Sequence, residues 1–285
     1  MNRAKLKIVL ALALLPTVAY ADPVDTGEPI PATTAPAPAA EDPPPFYVRA
    51  GVAVIKPLST SKEMELADVD GPASLALHNG PIPGSGASVD SATVGAVIVG
   101  YRLPYMHRRL SLETILGLPF TVTFKATGTL ANDSIAPTAL GIPTGVGPLG
   151  PDLGKASAAP ITLSLLYRFL DGRVQPYAGG GAAVMFTFNA EATNPTLTMV
   201  SKPDMSINPA PGLLLQTGID VQLYKKWYAR LDVKFIAFME ANAAVHHIQV
   251  QTPDIPLFDT VEIGTAKMSV MVNPLIIQAG IGADF

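Results

Sequence analysis

The chain has 285 residues and a formal net charge of −4; charged residues make up 15% and hydrophobic ones 48%. That is too apolar for a disordered chain and too acidic for nucleic-acid binding, which leaves a basic footprint. The absence of cysteine excludes a disulfide framework, a thiolate metal site and a cysteine nucleophile.

Residues 1–21 read as a secretory leader. Arg3, Lys5 and Lys7 precede the apolar run Ile8–Val18, and Ala19-Tyr20-Ala21 is a small-x-small cleavage site. Cleavage there leaves 16 basic and 23 acidic residues, a balance of −7. Residues 22–45 hold eight prolines and five alanines among 24 residues, and every charge in them is acidic. Such a segment buries no core and reads as a disordered periplasmic spacer.

Beyond residue 21 there is no stretch of about 18 apolar residues, so no helix is expected to span a membrane. From Phe46 onward the pattern has period two instead. It is clearest over 227–240, where Trp227, Ala229, Leu231, Val233, Phe235, Ala237 and Met239 form one face. Tyr228, Arg230, Asp232, Lys234, Ile236, Phe238 and Glu240 form the other. About 13 alternating residues exceed a soluble strand and suit a tilted strand crossing a bilayer.

Eight strands are predicted, at 46–58, 89–103, 107–127, 156–170, 173–191, 207–223, 227–246 and 267–285. Connections near 104–106, 171–172 and 224–226 are tight; those at 59–88, 128–155, 192–206 and 247–266 are long. Alternating short periplasmic turns and long outer loops mark an outer-membrane barrel. The fold class is therefore all-β: an eight-stranded antiparallel transmembrane β-barrel in a Gram-negative outer membrane, among its lipids. The tyrosines at 47, 101, 105, 167, 177, 224 and 228, with Phe46, Phe169, Trp227 and Phe285, fall near chain ends or short turns and predict a periplasmic aromatic girdle.

The uniformly apolar faces belong to lipid, which sends the mixed faces inward. Hairpin register then places Gln222 opposite Tyr228, Asp220 opposite Arg230 and Gly218 opposite Asp232. A two-residue Asp171-Gly172 turn places Arg168 opposite Gln175. Closure of strand 1 on strand 8 brings Arg49 to Asp284. Arg49, Arg168 and Arg230 against Asp220, Asp232 and Asp284 form a balanced charge network that should close the lower lumen to ions. Ile115, Ile236, Phe238, Pro274 and Ile276 are the expected apolar lining above it. Pro119 and Pro160 lie on neighbouring strands where a missing ladder donor weakens the seam, a candidate lateral exit. Phe285, with apolar residues at every second position before it, resembles the C-terminal signal read by outer-membrane assembly machinery.

Several pieces of the chain resemble the OmpW family, which includes the alkane-uptake AlkL proteins. They are Leu112-Glu113 with Leu118-Pro119-Phe120, Ala159-Pro160-Ile161-Thr162-Leu163 with Tyr167-Arg168-Phe169, and Val174 through Gly181. Gln216-Thr217-Gly218-Ile219-Asp220, Trp227 with Asp232-Val233-Lys234, and Asn273-Pro274 with Gly280 through Phe285 complete the set, in family order. The resemblance implies a passive conduit that takes small hydrophobic molecules from outside and releases them laterally into the membrane. A structural or adhesive barrel is the alternative reading.

No cofactor, metal or catalytic site is expected. Gly145–Gly150 fits a dinucleotide fingerprint, but a proline interrupts it and no helix follows. His246 and His247 are adjacent on a strand and point to opposite faces. His246, Ser269 and Glu240 are the one assembly resembling an enzyme's nucleophile and base, and no motif supports it.

Overall fold

The computed structural model describes residues 43–255 and 257–285. The expected leader and the acidic segment up to residue 42 lie outside them. Eight long strands alternate along the chain. They are β1 (Phe46–Lys56), β2 (Ala92–Arg102), β3 (Leu110–Gly117 and Phe120–Gly128), β4 (Asp152–Arg168) and β5 (Val174–Ala192). After these come β6 (Ala210–Tyr224), β7 (Trp227–Ala237 and Glu240–His246) and β8 (Thr265–Met271 and Leu275–Asp284). Each pairs antiparallel with its sequence neighbours, and β8 returns to β1 from Tyr47↔Asp284 to Lys56↔Leu275. The eight long strands thus close into an antiparallel barrel.

Period-two alternation sorts the two surfaces. Leu213, Leu215, Leu231, Ile277 and Ile281 are exposed on the outside, while Gln216, Asp220, Asp232 and Gln278 on the alternate positions are buried. A water-soluble barrel would reverse this, because apolar groups leave water and charges keep it. Toward the outer end short segments lengthen the wall. Thr60–Ser61 and Glu65–Ala67 pair with β8, Ser85–Val89 with β3, and Asp204–Ile207 with β7. The long loops fold over this end around an apolar cluster that includes Met64, Leu130, Leu149, Leu197 and Ile248.

Three sequence expectations change. First, the β6–β7 register is as deduced, with Asp220↔Arg230 and Gly218↔Asp232, but Arg168 faces Tyr177 rather than Gln175. A two-residue type I′ turn needs positive φ at both central residues. Only Gly172 has it (φ 143°), and the hairpin closes where Phe169 N–H donates to the Pro176 carbonyl at 3.0 Å. Second, the tyrosines do not share one environment. Tyr101, Tyr105 and Tyr224 face outward with Trp227, Phe46, Phe169 and Phe285, whereas Tyr47, Tyr177 and Tyr228 are buried in the lumen. Their positions have the inward parity of Arg49 and Arg230, and parity overrides height. Third, Phe238 is not lumenal. It takes a left-handed backbone (φ 60°), and its partner bulge is Asn273 (φ 38°). These two bulges advance the alternation by one residue, so Phe238 is 70% exposed outside and Met239 is buried inside.

Two glycines make room for the buried rings. A Cβ on Gly100 would lie 1.9 Å from the Tyr47 ring, and one on Gly218 would lie 2.4 Å from the Tyr177 hydroxyl. Gly100→Ala should overpack the lumen and lower stability by about 1–3 kcal/mol, read as a lower denaturant midpoint. An unchanged midpoint would show that the Tyr47 ring can move aside.

Candidate functional site

The lower lumen is a continuous ionic floor to which every strand contributes. Arg49 Nη2 lies 2.7 Å from Asp284, and Arg102 Nη2 reaches the other oxygen of that carboxylate at 2.7 Å. Arg230 grips Asp220 with two nitrogens, at 2.7 and 2.8 Å, and Arg168 approaches the same carboxylate at 3.5 Å. Arg230 also reaches Glu113 at 2.5 Å. Glu113 is on β3 and Arg230 on β7, four strands apart in a ring of eight. Their ion pair therefore crosses the full diameter of the barrel and closes it at that height. Tyr47 donates to Glu113 at 2.9 Å, and Gln216 bridges Glu113 and Asp232, both at 2.7 Å. Tyr177 donates to Asp232 at 2.5 Å, and Lys234 bonds Asp232 as well.

All six network residues expected from sequence stand in this floor. The expected balance of three cations and three anions does not hold. Arg102, Lys234 and Glu113 join it, giving five cations against four carboxylates, all buried. Lys234 shares the alternating face of Arg230 and Asp232, so its inclusion was legible. Glu113 needed a β3 register that the irregular Leu118-Pro119 stretch hides. Burial of so many charges is tolerated because nearly every one has an oppositely charged partner in bonding distance.

Above the floor the lining turns apolar. Ile115, Ile236 and Ile276 pack with Ile55, Ile98 and Leu214 in a buried cluster. Over it lies a cavity of about 60 Å³, bordered by Phe120, Met185, Ile207, Met239, Val272 and Pro274. Its polar side chains are Asp90 and Thr187. A second cavity of about 40 Å³ stands further out, lined by aliphatic side chains and by Met64, Met205 and Met268. The two are stacked, because inward residues step from one to the other: Met205 to Ile207, Ala243 to Ala241.

The inner cavity abuts an interruption in the wall. The β2–β3 ladder ends at Ala96↔Gly117 and resumes where Asp90 N–H donates to the Thr123 carbonyl at 3.2 Å. Between them, among the described residues, no backbone pair joins 91–95 to 118–122. Ala92, Phe120 and Val122 border both this slit and the cavity. Leu118 lies across it, 3.6 Å from where a Cβ on Gly95 would stand. Pro119 is exposed within the unpaired stretch. Pro160 sits on the other side of β3, close against Gly117 and paired with Met185. There β4 ladders with both halves of β3, so the wider break is on the β2 side.

At the outer rim, His246 and Ser269 have separate partners. The His246 ring lies 3.2 Å from the Thr265 hydroxyl, while Ser269 bonds Glu240 and Asn242. They do not form a nucleophile–base pair.

The OmpW family model matches residues 45–285. An uncharacterized outer-membrane protein, y4mB, of Sinorhizobium fredii is 28% identical over 141 residues, 49% of this chain and 53% of that protein. The match thus spans about half the length of that relative. Among solved structures, OprG of Pseudomonas aeruginosa aligns at a TM-score of 0.63 and 19% identity, over 86% of this chain and 97% of that one. Outer membrane protein W of E. coli aligns at a TM-score of 0.46 and 16% identity, over 86% of this chain and 100% of that one. With a closed eight-stranded barrel and a family match over its whole length, the chain belongs to the OmpW family of outer-membrane proteins.

Proposed function

We propose that this barrel is a passive conduit for small hydrophobic molecules. They enter from outside through the outer cavity, pass to the inner one, and leave sideways through the β2–β3 slit into the membrane. The observation that carries the reading is the sequence of environments along the axis: two stacked apolar cavities, a closed ionic floor, and a wall break level with the lower cavity. An apolar solute gains by staying in such a lining and would have to shed it to cross buried charges. The lateral path is the one without that barrier. An ion meets the reverse situation, so the lumen should carry no steady ionic current.

Ala241 lines the inner cavity with a small side chain. Ala241→Trp should fill it. In cells displaying the full-length chain, uptake of the dye N-phenylnaphthylamine should fall to that of cells without the barrel. Equal uptake by parent and variant would sink the conduit and favour a structural or adhesive barrel.

A further inference from the structure

The outer cavity is roofed by the long loops, and about 40 Å³ is too small for a hydrophobic solute. Benzene occupies a protein cavity of roughly 150 Å³. Entry from outside therefore requires part of the roof to move. The least anchored part is the tip of the β5–β6 connection. After Ala192 the chain turns at Asn194 into one helical turn, Pro195–Thr198, and rejoins the wall at Asp204. Among the described residues, the one main-chain bond of 195–203 is internal, from Thr198 N–H to the Asn194 carbonyl at 3.1 Å. No backbone ladder ties this tip to another loop.

Side chains hold it instead. Leu197 is buried and lines the outer cavity beside Leu149, Leu153 and Ile248. Its helical turn lies against 249–251 of the β7–β8 connection. Asn194 is 1% exposed. Its amide oxygen accepts from Thr196 N–H at 2.9 Å and Leu197 N–H at 3.4 Å, which caps the turn. Its amide nitrogen donates to the Leu149 carbonyl at 2.7 Å and to the Asp152 carbonyl at 2.6 Å. One side chain thus fastens the tip to the β3–β4 connection and uses all four of its bonding positions. Behind it, the N–H groups of Thr193 and Asn194 reach the Leu153 carbonyl at 3.1 and 3.3 Å and fix the base. At the far end Lys202 pairs with Glu191 at 2.6 Å on the surface, where an ion pair holds little.

We infer that residues 195–203 are a flap over the outer mouth, with Leu197 as its stopper and the Asn194 amide as its catch. Swinging about the 193–194 base would withdraw Leu197 and open the outer cavity. Opening loses two hydrogen bonds and the burial of one leucine, so the closed form dominates and the open one is a minor population. An apolar solute that takes the leucine's place restores the buried contact. A polar solute does not, so the flap favours hydrophobic cargo at the first step. The inference takes its purpose from the conduit reading, but flap opening is measurable without transport.

The chain has no cysteine, so Leu197→Cys supplies a single buried thiol. In the full-length chain in nanodiscs, its labelling rate by a charged maleimide reports opening of the flap. Asn194→Asp in that background keeps the capping oxygen and replaces the amide donor by an anionic oxygen facing two carbonyls. Labelling should speed about tenfold or more, the share of two net hydrogen bonds. Met199→Ala, exposed on the flap, should leave the rate unchanged. The heat-modifiable gel mobility of a folded barrel reports that each variant is intact. In cells, N-phenylnaphthylamine uptake through Asn194→Asp should rise severalfold over the parent. Unchanged labelling in Asn194→Asp, or equal speeding by Met199→Ala, would overturn the flap. Where Ala241→Trp blocks uptake, faster labelling with unchanged uptake would overturn the flap as the entrance. Where Ala241→Trp does not block, the conduit itself has failed, and labelling alone decides whether the flap opens.

Discussion

Glu113→Ala should lower barrel stability by about 3–5 kcal/mol, the usual result of removing one partner from a buried ion pair. Glu113 accepts from Arg230 at 2.5 Å, Tyr47 at 2.9 Å and Gln216 at 2.7 Å. Its loss strips those three donors of an acceptor and raises the excess of buried cations from one to two. Arg230 keeps Asp220, so the barrel should still close. Equilibrium unfolding in detergent would show the lowered midpoint. Glu113→Gln should fall between parent and alanine, because it keeps the shape and loses the charge. The alanine substitution should also open the lumen, since this side chain links opposite walls. Planar-bilayer recording would then show ion current that the parent lacks. A variant as stable as the parent, and as silent, would mean the floor does not depend on its cross-barrel link.

The second large effect concerns the slit. The chain has no cysteine, so Gly95→Cys with Leu118→Cys carries two unique thiols across the unpaired stretch. Bridging them with a short bifunctional thiol reagent should stop dye uptake in intact cells, while each single variant treated alike should not. A cleavable reagent should restore uptake on reduction. A parallel pair placed over the β3–β4 seam at Pro119 and Pro160 should leave uptake unchanged, because β4 is paired with both halves of β3. If the second pair blocks and the first does not, the exit belongs to that proline seam. If neither blocks, lateral release is wrong and the cavities serve another purpose.

Much of the architecture is legible in the order of residues along the chain. Alternation over residues such as 213–223 and 227–237 encodes which side of a strand meets lipid, because a strand's side chains point to opposite faces with period two. Tight turns carry the register across, so Asp220 opposite Arg230 follows from counting, while Arg49 beside Asp284 follows from closing the first strand on the last. The same counting fails where the backbone leaves the regular pleat. At Phe238 and Asn273 two left-handed residues shift the phase; asparagine tolerates that backbone, but nothing in the residue type marks Phe238. At Phe169–Val174 the turn is longer than its Asp-Gly pair suggests. Glu113 escapes for a related reason: its partners lie on strands four positions around the ring or on the same face far away in sequence. No local pattern reports a contact across a lumen.

The sequence by itself therefore determined the class of the protein, the number and direction of its strands, the lipid-facing surface and most of the charges turned inward. Those properties rest on period-two patterning and short-range turn geometry, which act within a few residues. Tertiary structure alone decided where the lumen is closed, where the wall is broken and where the cavities stand. Each of these depends on side chains from several strands meeting at one height, and small phase shifts at bulges set that height.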